Sequence, residues 1–259
     1  MELNKALLAN TDGKACEDNI IVSQNVRVSV LTPETIRVEY STDGKFTDLP
    51  SQSIWYRNFG KVEFTHETRV DVLCVKTSYA EFYINSHSGS FEYVVINGEK
   101  CTYTREHNLK GTTRTLDQTF GPIDLDEGII STDGVSVYYD NKTLLLNEDG
   151  MLSSREKGTK DYYIFAYGKN YVMGINNFYK VTGMPPLVPR YALGNWWSRY
   201  RAYTQKEYED LMVEFANRNI PLTIATVDMD WHWVDQGIYC GFGLPQRHTR
   251  RKFSGGTCL

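Results

Sequence analysis

GNWWSRYRAYTQKEYEDLMVEFANRNIPLTIATVDMD, residues Gly194–Asp230, decides how the chain is to be read. Its middle is a helix with a written start. Thr204 and Glu207 stand at capping-box spacing, where each side chain satisfies an orphan amide of the first turn. Tyr208, Leu211, Met212, Phe215 and Ala216 then fall on one helical face. IPLTIATV, which follows, is apolar at successive positions, as a parallel strand covered on both faces must be. YALGNWWSRY, just upstream, reads as a strand that runs into a polar and aromatic loop. Strand, helix and strand in this order make a right-handed βαβ unit. In such sheets ligands gather at the carboxyl ends of the strands, where Asp228, Asp230 and the WWSRY loop lie.

Upstream the pattern is different. From about residue 20 to 168 the chain is strand after strand: IRVEY alternates apolar and polar side chains like a half-buried strand, and VDVLCVKT and AEFYINS follow at hairpin spacing. FEYVVINGEKCTYT sets Asn97-Gly98 between two β-rich runs, a type I′ turn signal. VSVYYD, KTLLLN and DYYIFAYG add further strands, so this part predicts an antiparallel β-sandwich. Tyr171, Ile175, Phe178, Tyr179 and Thr182 then recur at helical spacing up to Gly183, and MPPLVPR is a stiff connector.

The 259 residues are enough for one large or two ordinary domains, and their composition is that of a globular protein. A net charge of −4 with no dominant basic face argues against nucleic acid as partner. No apolar run approaches a membrane span, and the first residues lack the apolar core of a signal peptide. Five scattered cysteines without CxxC spacing predict reduced thiols in a cytoplasmic setting and neither a disulfide framework nor a zinc site. Aromatic residues are abundant at 13%, which suits β-rich cores and also surfaces that stack on sugar rings.

Two carboxylates one residue apart on an extended segment point to opposite faces, so Asp228 and Asp230 are poorly placed to act as a catalytic pair. An aspartate here can cap the next loop, join a D-x-D metal site of the nucleotide-sugar transferase kind, or accept hydrogen bonds from sugar hydroxyls. Trp196, Trp197, Trp231 and Trp233 nearby favour the last. His232 has no second histidine at metal-site spacing and reads as a structural residue.

YGKNYVMGINNFYKVTGMPPLVPRYALGNWWSRY, the capped helix and IPLTIATVDMDWHW together resemble the entry into the catalytic barrel of glycoside hydrolase family 31. FTDLPSQSIWYRNF, NLKGTTRTLDQTFGPIDLDEGIISTDG and DYYIFAYG resemble that family's N-terminal sandwich, so the likeness runs from roughly Asn25 to Val234. It implies a multidomain β plus α/β fold, an antiparallel sandwich followed by the first strands of an incomplete (β/α)₈ barrel. It also implies an α-glucosidase-like retaining hydrolase that needs no cofactor and acts on an α-linked oligosaccharide or glucoside. Asp228 matches the aspartate that hydrogen-bonds the sugar of the −1 subsite, Met229 an apolar wall of that pocket and Tyr200 a lining tyrosine. Asp133 of STDG matches a sandwich-loop residue that reaches towards substrate, although Thr132 stands where the family usually has arginine. Retention requires two carboxyl groups about 5–5.5 Å apart, and the resemblance places both beyond Asp228, at no residue of this chain.

The expected organisation is a sandwich over residues 1–168, a helix and connector over 169–190, the start of the barrel over 191–239 and a basic tail over 240–259. A full barrel takes about 250 residues. The tail carries Arg247, Arg250, Arg251 and Lys252 with no acid and no period, and a shifted reading frame is one expectation for it; a flexible basic tail is the rival. The leading functional expectation is therefore a hydrolase portion that is inactive alone. A carbohydrate-binding sandwich module and a D-x-D glycosyltransferase are the alternatives.

Overall fold

A computed structural model describes residues 8–113, 115 and 118–228. They form two compact units, Met1–Pro185 and Pro186–Leu259. The first unit contains β1 (Ile20–Ser23), β2 (Val26–Thr32), β3 (Thr35–Tyr40), β4 (Phe64–Arg69), β5 (Val72–Thr77), β6 (Ala80–Asn85), β7 (Phe91–Ile96) and β8 (Glu99–Cys101). It continues with β9 (Asn108–Leu109), β10 (Ile130–Ser131), β11 (Val135–Tyr139), β12 (Leu145–Leu146), β13 (Leu152–Ser153), β14 (Lys160–Ala166) and helix α1 (Tyr171–Thr182).

Two five-stranded sheets build it: β1-β2-β3-β14-β11, antiparallel throughout, and the meander β4-β5-β6-β7-β8. Their facing sides interdigitate Val26, Val28, Ile36, Val38, Tyr162 and Ile164 with Leu73, Val75, Phe82, Ile84 and Val94, all buried. The turn signal is fulfilled. Asn97 and Gly98 have φ of 52° and 82°, and Ile96 pairs with Glu99 across them.

The first sheet is covered on its other face too. Leu31, Ile54, Tyr163, Phe165 and Tyr167 pack there with Val181 of α1, and Phe178 meets Phe165 edge-on at 5.9 Å. This corrects the half-buried reading of IRVEY: Thr35 to Glu39 are all buried. The polar side of that alternation goes into a layer of paired charges. Arg27 lies opposite Glu39, which lies opposite Asp161. Arg37 grips Asp161 through Nε (2.8 Å) and Nη2 (2.7 Å), reaches Glu39 at 3.0 Å and donates to the Thr47 carbonyl at 3.0 Å. Arg155 bridges Asp161 and Asp140 at 2.7 and 2.6 Å. Buried charges persist only when so paired.

Helix α1 forms where its spacing predicts, with Asn170 capping Met173 N at 3.1 Å and the chain leaving at Gly183. Its most buried positions are Gly174, Asn177 and Val181, one row beside the apolar series read from the sequence. The helix belongs to the first unit and packs on β14 and β10. KTLLLN contributes only β12, which pairs with β13 in a small separate hairpin.

The second unit holds β15 (Trp196–Trp197), α2 (Gln205–Asn217) and β16 (Ile224–Ala225). The strand expected over YALGNWWSRY is shorter: Arg190–Leu193 is a 3₁₀ turn, and only the two tryptophans pair. β15 and β16 are parallel, with Trp196 opposite Ile224 and Trp197 opposite Ala225. The capping box is complete: Thr204 Oγ1 accepts from Glu207 N at 3.3 Å, and Thr204 N donates to the Glu207 carboxylate at 2.8 Å.

Candidate functional site

The second unit gathers its chemistry at the carboxyl ends of its two strands. Thr223 N donates to Asn195 O and Thr226 N to Trp197 O, each at 2.9 Å, which carries the parallel ladder to the level of Ser198. Asp228 emerges two residues further on, and Ser198 Oγ donates to its Oδ2 at 3.4 Å. α2 fixes this edge from one side. Phe215 packs on Trp197 with centroids 4.8 Å apart, and Tyr208 OH donates to the Thr226 carbonyl at 2.6 Å. Trp197 Nε1 and Thr226 Oγ1 are shielded without a hydrogen-bond partner among the described residues. Tyr200 follows β15 and is exposed.

These features make a recognisable corner: one parallel strand pair, a connecting helix packed on it, and a carboxylate with a hydroxyl at the open strand ends. Residues 185–250 match the family model described as "Glycosyl hydrolases family 31 TIM-barrel domain". That segment is similar to the barrel domain of glycoside hydrolase family 31. Among curated relatives, the α-xylosidase of Saccharolobus solfataricus is 32% identical over 150 residues, 54% of this chain and 19% of the relative. A family 31 glucosidase of Pseudescherichia vulneris is 35% identical over 88 residues, 34% of this chain and 16% of the relative. The chain thus spans less than a fifth of these curated relatives. In fold it is similar to the Flavobacterium johnsoniae dextranase of family 31, with a TM-score of 0.57 at 15% identity over 85% of this chain and 33% of that one. Family 31 enzymes join a β-sandwich to a TIM barrel, and the described residues contain the sandwich together with one βαβ unit.

The sandwich holds the other family-matched residue. Asp133 sits in the turn Ser131–Gly134 between β10 and β11. Gly134 has φ of 78°, and a Cβ there would lie 2.8 Å from the Gly168 backbone, so only glycine lets the turn close against that strand end. Asp133 Oδ2 accepts from Thr104 N at 2.7 Å, and Oδ1 meets His107 Nδ1 at 2.6 Å. Thr132 N and Ser131 Oγ both donate to the His107 carbonyl, at 3.0 and 3.2 Å. Partial burial opposes ionisation of Asp133, but the His107 and Thr104 hydrogen bonds prevail and hold its carboxyl below the ordinary value.

Of the four residues expected at a sugar site, the structure places Asp228 and Tyr200 in the second unit at the β15 and β16 ends, and Asp133 in the first. Met229 lies outside the described residues, as do Asp230, Trp231, His232 and Trp233. His107 was not visible beforehand: it stands 26 positions from Asp133, in a segment without periodicity. Among the described residues no group of three or more His, Cys, Asp and Glu side chains could hold a metal ion, and no helix is long and apolar enough to cross a membrane.

Proposed function

We propose that this chain provides the sandwich and the opening of the barrel of a retaining glycoside hydrolase that acts on α-linked glucosides. The observation that carries the reading is Asp228, held just past the carboxyl end of a parallel strand pair with Ser198 beside it. A carboxylate so placed accepts hydrogen bonds from vicinal sugar hydroxyls, and Tyr200 supplies pocket wall. The relatives are named as glucosidases and an α-xylosidase, and the solved dextranase is complexed with isomaltotriose, which supports an α-linked saccharide as the partner. The nucleophile and the acid/base are assigned to no residue here, so the chain alone is proposed to bind sugar rather than cleave it.

Calorimetric or NMR titration of the chain with glucose, xylose and isomaltotriose tests this. Saturable binding is expected, with Asp228→Ala weakening it about tenfold or more, the worth of one or two charge-assisted hydrogen bonds. Preference for glucose and isomaltotriose over xylose is expected of an α-glucosidase. Binding that is absent for all three sugars, or unchanged in Asp228→Ala, overturns the proposal.

A further inference from the structure

The charge layer of the first sheet ends at a cavity of about 290 Å³. It lies between the loop that follows β3 and the segment that leads into β14. Its buried wall is the layer itself: Glu39, Asp161 and Arg155, whose side chains are 5%, 4% and 8% exposed. Arg27 and Arg37 hold Glu39, Arg37 and Arg155 hold Asp161, and Arg155 also holds Asp140. Lys45, Lys160 and Glu156 complete the charged lining, so three cations face three carboxylates. Lys45 is paired with Asp43. Among the described residues Lys160 is the lining cation without a carboxylate, since its Nζ donates to Ser88 O at 2.8 Å and Ser90 Oγ at 3.1 Å, and Glu156 is the lining carboxylate in no ion pair.

Hydroxyls and rings make up most of the rest. Thr47 Oγ1 accepts from Leu49 N at 3.2 Å and keeps its proton; Thr159 Oγ1 donates to Glu156 O at 2.8 Å and keeps its lone pairs. The hydroxyls of Tyr40 and Ser154 line the same space with no hydrogen bond among the described residues. The Tyr40 ring lies 5.5 Å from Lys160 Nζ, and the Phe46 ring 5.1 Å from the Arg27 guanidinium, so both are held in place.

We propose that this cavity binds a neutral polyol the size of one pyranose ring. The reading goes beyond the strand-end site, because every residue it uses belongs to the first unit. An anion would find one unmatched ammonium beside a carboxylate wall, and a cation the reverse. A neutral polyol suits the balance: its hydroxyls both give and take, as the wall's four do, and its C–H face can lie on a ring. The volume is near the lower bound of small-molecule sites, about 300 Å³, which admits one ring and no chain of them. The ion pairs fix the wall before ligand arrives, so little side-chain freedom is lost on binding.

The test uses the full chain with ¹³C-methyl-labelled leucine and threonine, and glucose as the probe. Saturable shifts are expected at the methyls of Leu145, Thr47 and Thr159, which line the cavity, with a Kd on the order of 1 mM and NOEs to the sugar C–H protons. Asp228→Ala should leave these shifts as they are. Ser154→Trp places an indole over the mouth from an exposed position and should weaken them about tenfold or more at an unchanged melting temperature. Tyr40→Phe, which removes one hydroxyl, should weaken them several-fold. Shifts that grow linearly without saturation, that persist in Ser154→Trp, or that vanish in Asp228→Ala overturn the proposal. So does saturation by sulfate or by glycine where glucose has no effect, which would make the cavity an anion or a zwitterion site. Because the Leu145 methyls report on this cavity alone, loss of their response leaves the Asp228 reading standing, and an Asp228→Ala chain that binds glucose only here removes that reading and keeps this one. Should Ser154→Trp not fold, Tyr40→Phe and the NOEs to Leu145 decide.

Discussion

Arg37 is the keystone of the buried charge layer, and Arg37→Met is the perturbation that measures it. The side chain is 1% exposed and makes two hydrogen bonds to Asp161, one contact to Glu39 and one hydrogen bond to the Thr47 carbonyl. Methionine fills much of the same volume, so the change removes charge and donors more than it removes packing. Glu39 and Asp161 are directly opposite on β3 and β14, where facing side chains have Cβ atoms about 4.5–5.5 Å apart. Without Arg37 these two carboxylates meet in a dry layer, each left with a single arginine, Arg27 for Glu39 and Arg155 for Asp161. Removing one partner of a buried pair costs about 3–5 kcal/mol. For a unit of this size that is a melting temperature lower by roughly 6–20 °C, at about 2–4 °C per kcal/mol.

Urea unfolding followed by tyrosine fluorescence gives the first number, and calorimetry gives the second. The double variant Arg37→Met/Asp161→Asn should cost less than the sum of the two single changes, because Asp161→Asn removes one of the two repelling charges. A loss under about 1 kcal/mol for Arg37→Met, or strict additivity, would show that water screens the layer and that the pairing is ornamental.

The acid limb of stability should separate two aspartates of that layer. Burial opposes ionisation of Asp161, but Arg37 outweighs it and holds the carboxyl below the ordinary range; its contribution is present above about pH 4 and is lost as the pH falls towards the folded value, so Asp161→Asn should flatten the fall of urea midpoints below about pH 4. Asp140 runs the other way, since burial holds its carboxyl above the ordinary value and folding favours its protonated form; Asp140→Asn should steepen the same limb. Gly134→Ala forces a positive φ on alanine and drives its Cβ into the Gly168 backbone; a loss of about 2 kcal/mol or more in urea is expected, with an altered His107 imidazole signature. Thr204→Ala removes half of the capping box and should lower the stability of the second unit by about 1 kcal/mol, read from hydrogen exchange of the first-turn amides of α2.

Local chemistry was legible in the sequence wherever its cause is local. Asn97-Gly98, the Thr204–Glu207 box and the stop at Gly183 all formed as read, because each depends on neighbours within four residues. The parallel pairing of Trp196 with Ile224 was also legible, since a helix of α2's length between two apolar runs leaves few other topologies. The fate of Arg37 and Glu39 was not. Their cover comes from α1 and from Asp161, whose hydrogen bonds to Arg37 span 124 positions, and an alternating strand looks the same whether its polar side meets water or paired charge. The same holds for the site. Asp228 follows from its place at a strand end, but His107 reaches Asp133 only because β9 pairs with β10, two short strands separated by residues 110–129, which no periodicity connects.

The buried charges also explain why the first sheet takes one register. β3 reads Ile36, Arg37, Val38, Glu39, and on the face of Arg37 and Glu39 its neighbours offer charge at Arg27 and Asp161. A slip of one residue along either ladder would turn Arg37 and Glu39 into the layer shared with Phe82 and Val94, unpaired, and would put Ile36 and Val38 against Asp161. An all-apolar β3 would bury as much surface and stabilise the sheet at least as well, but it would accept the slipped pairing almost as readily. Register here matters beyond the sheet. Just past the end of β14 stands Tyr167, whose hydroxyl accepts from Ser131 N at 2.7 Å and sets the turn that carries Asp133. Displacing β14 by a single position would therefore move the Asp133–His107 pair with it, so the charge layer fixes the placement of a turn held by Tyr167, six residues beyond Asp161.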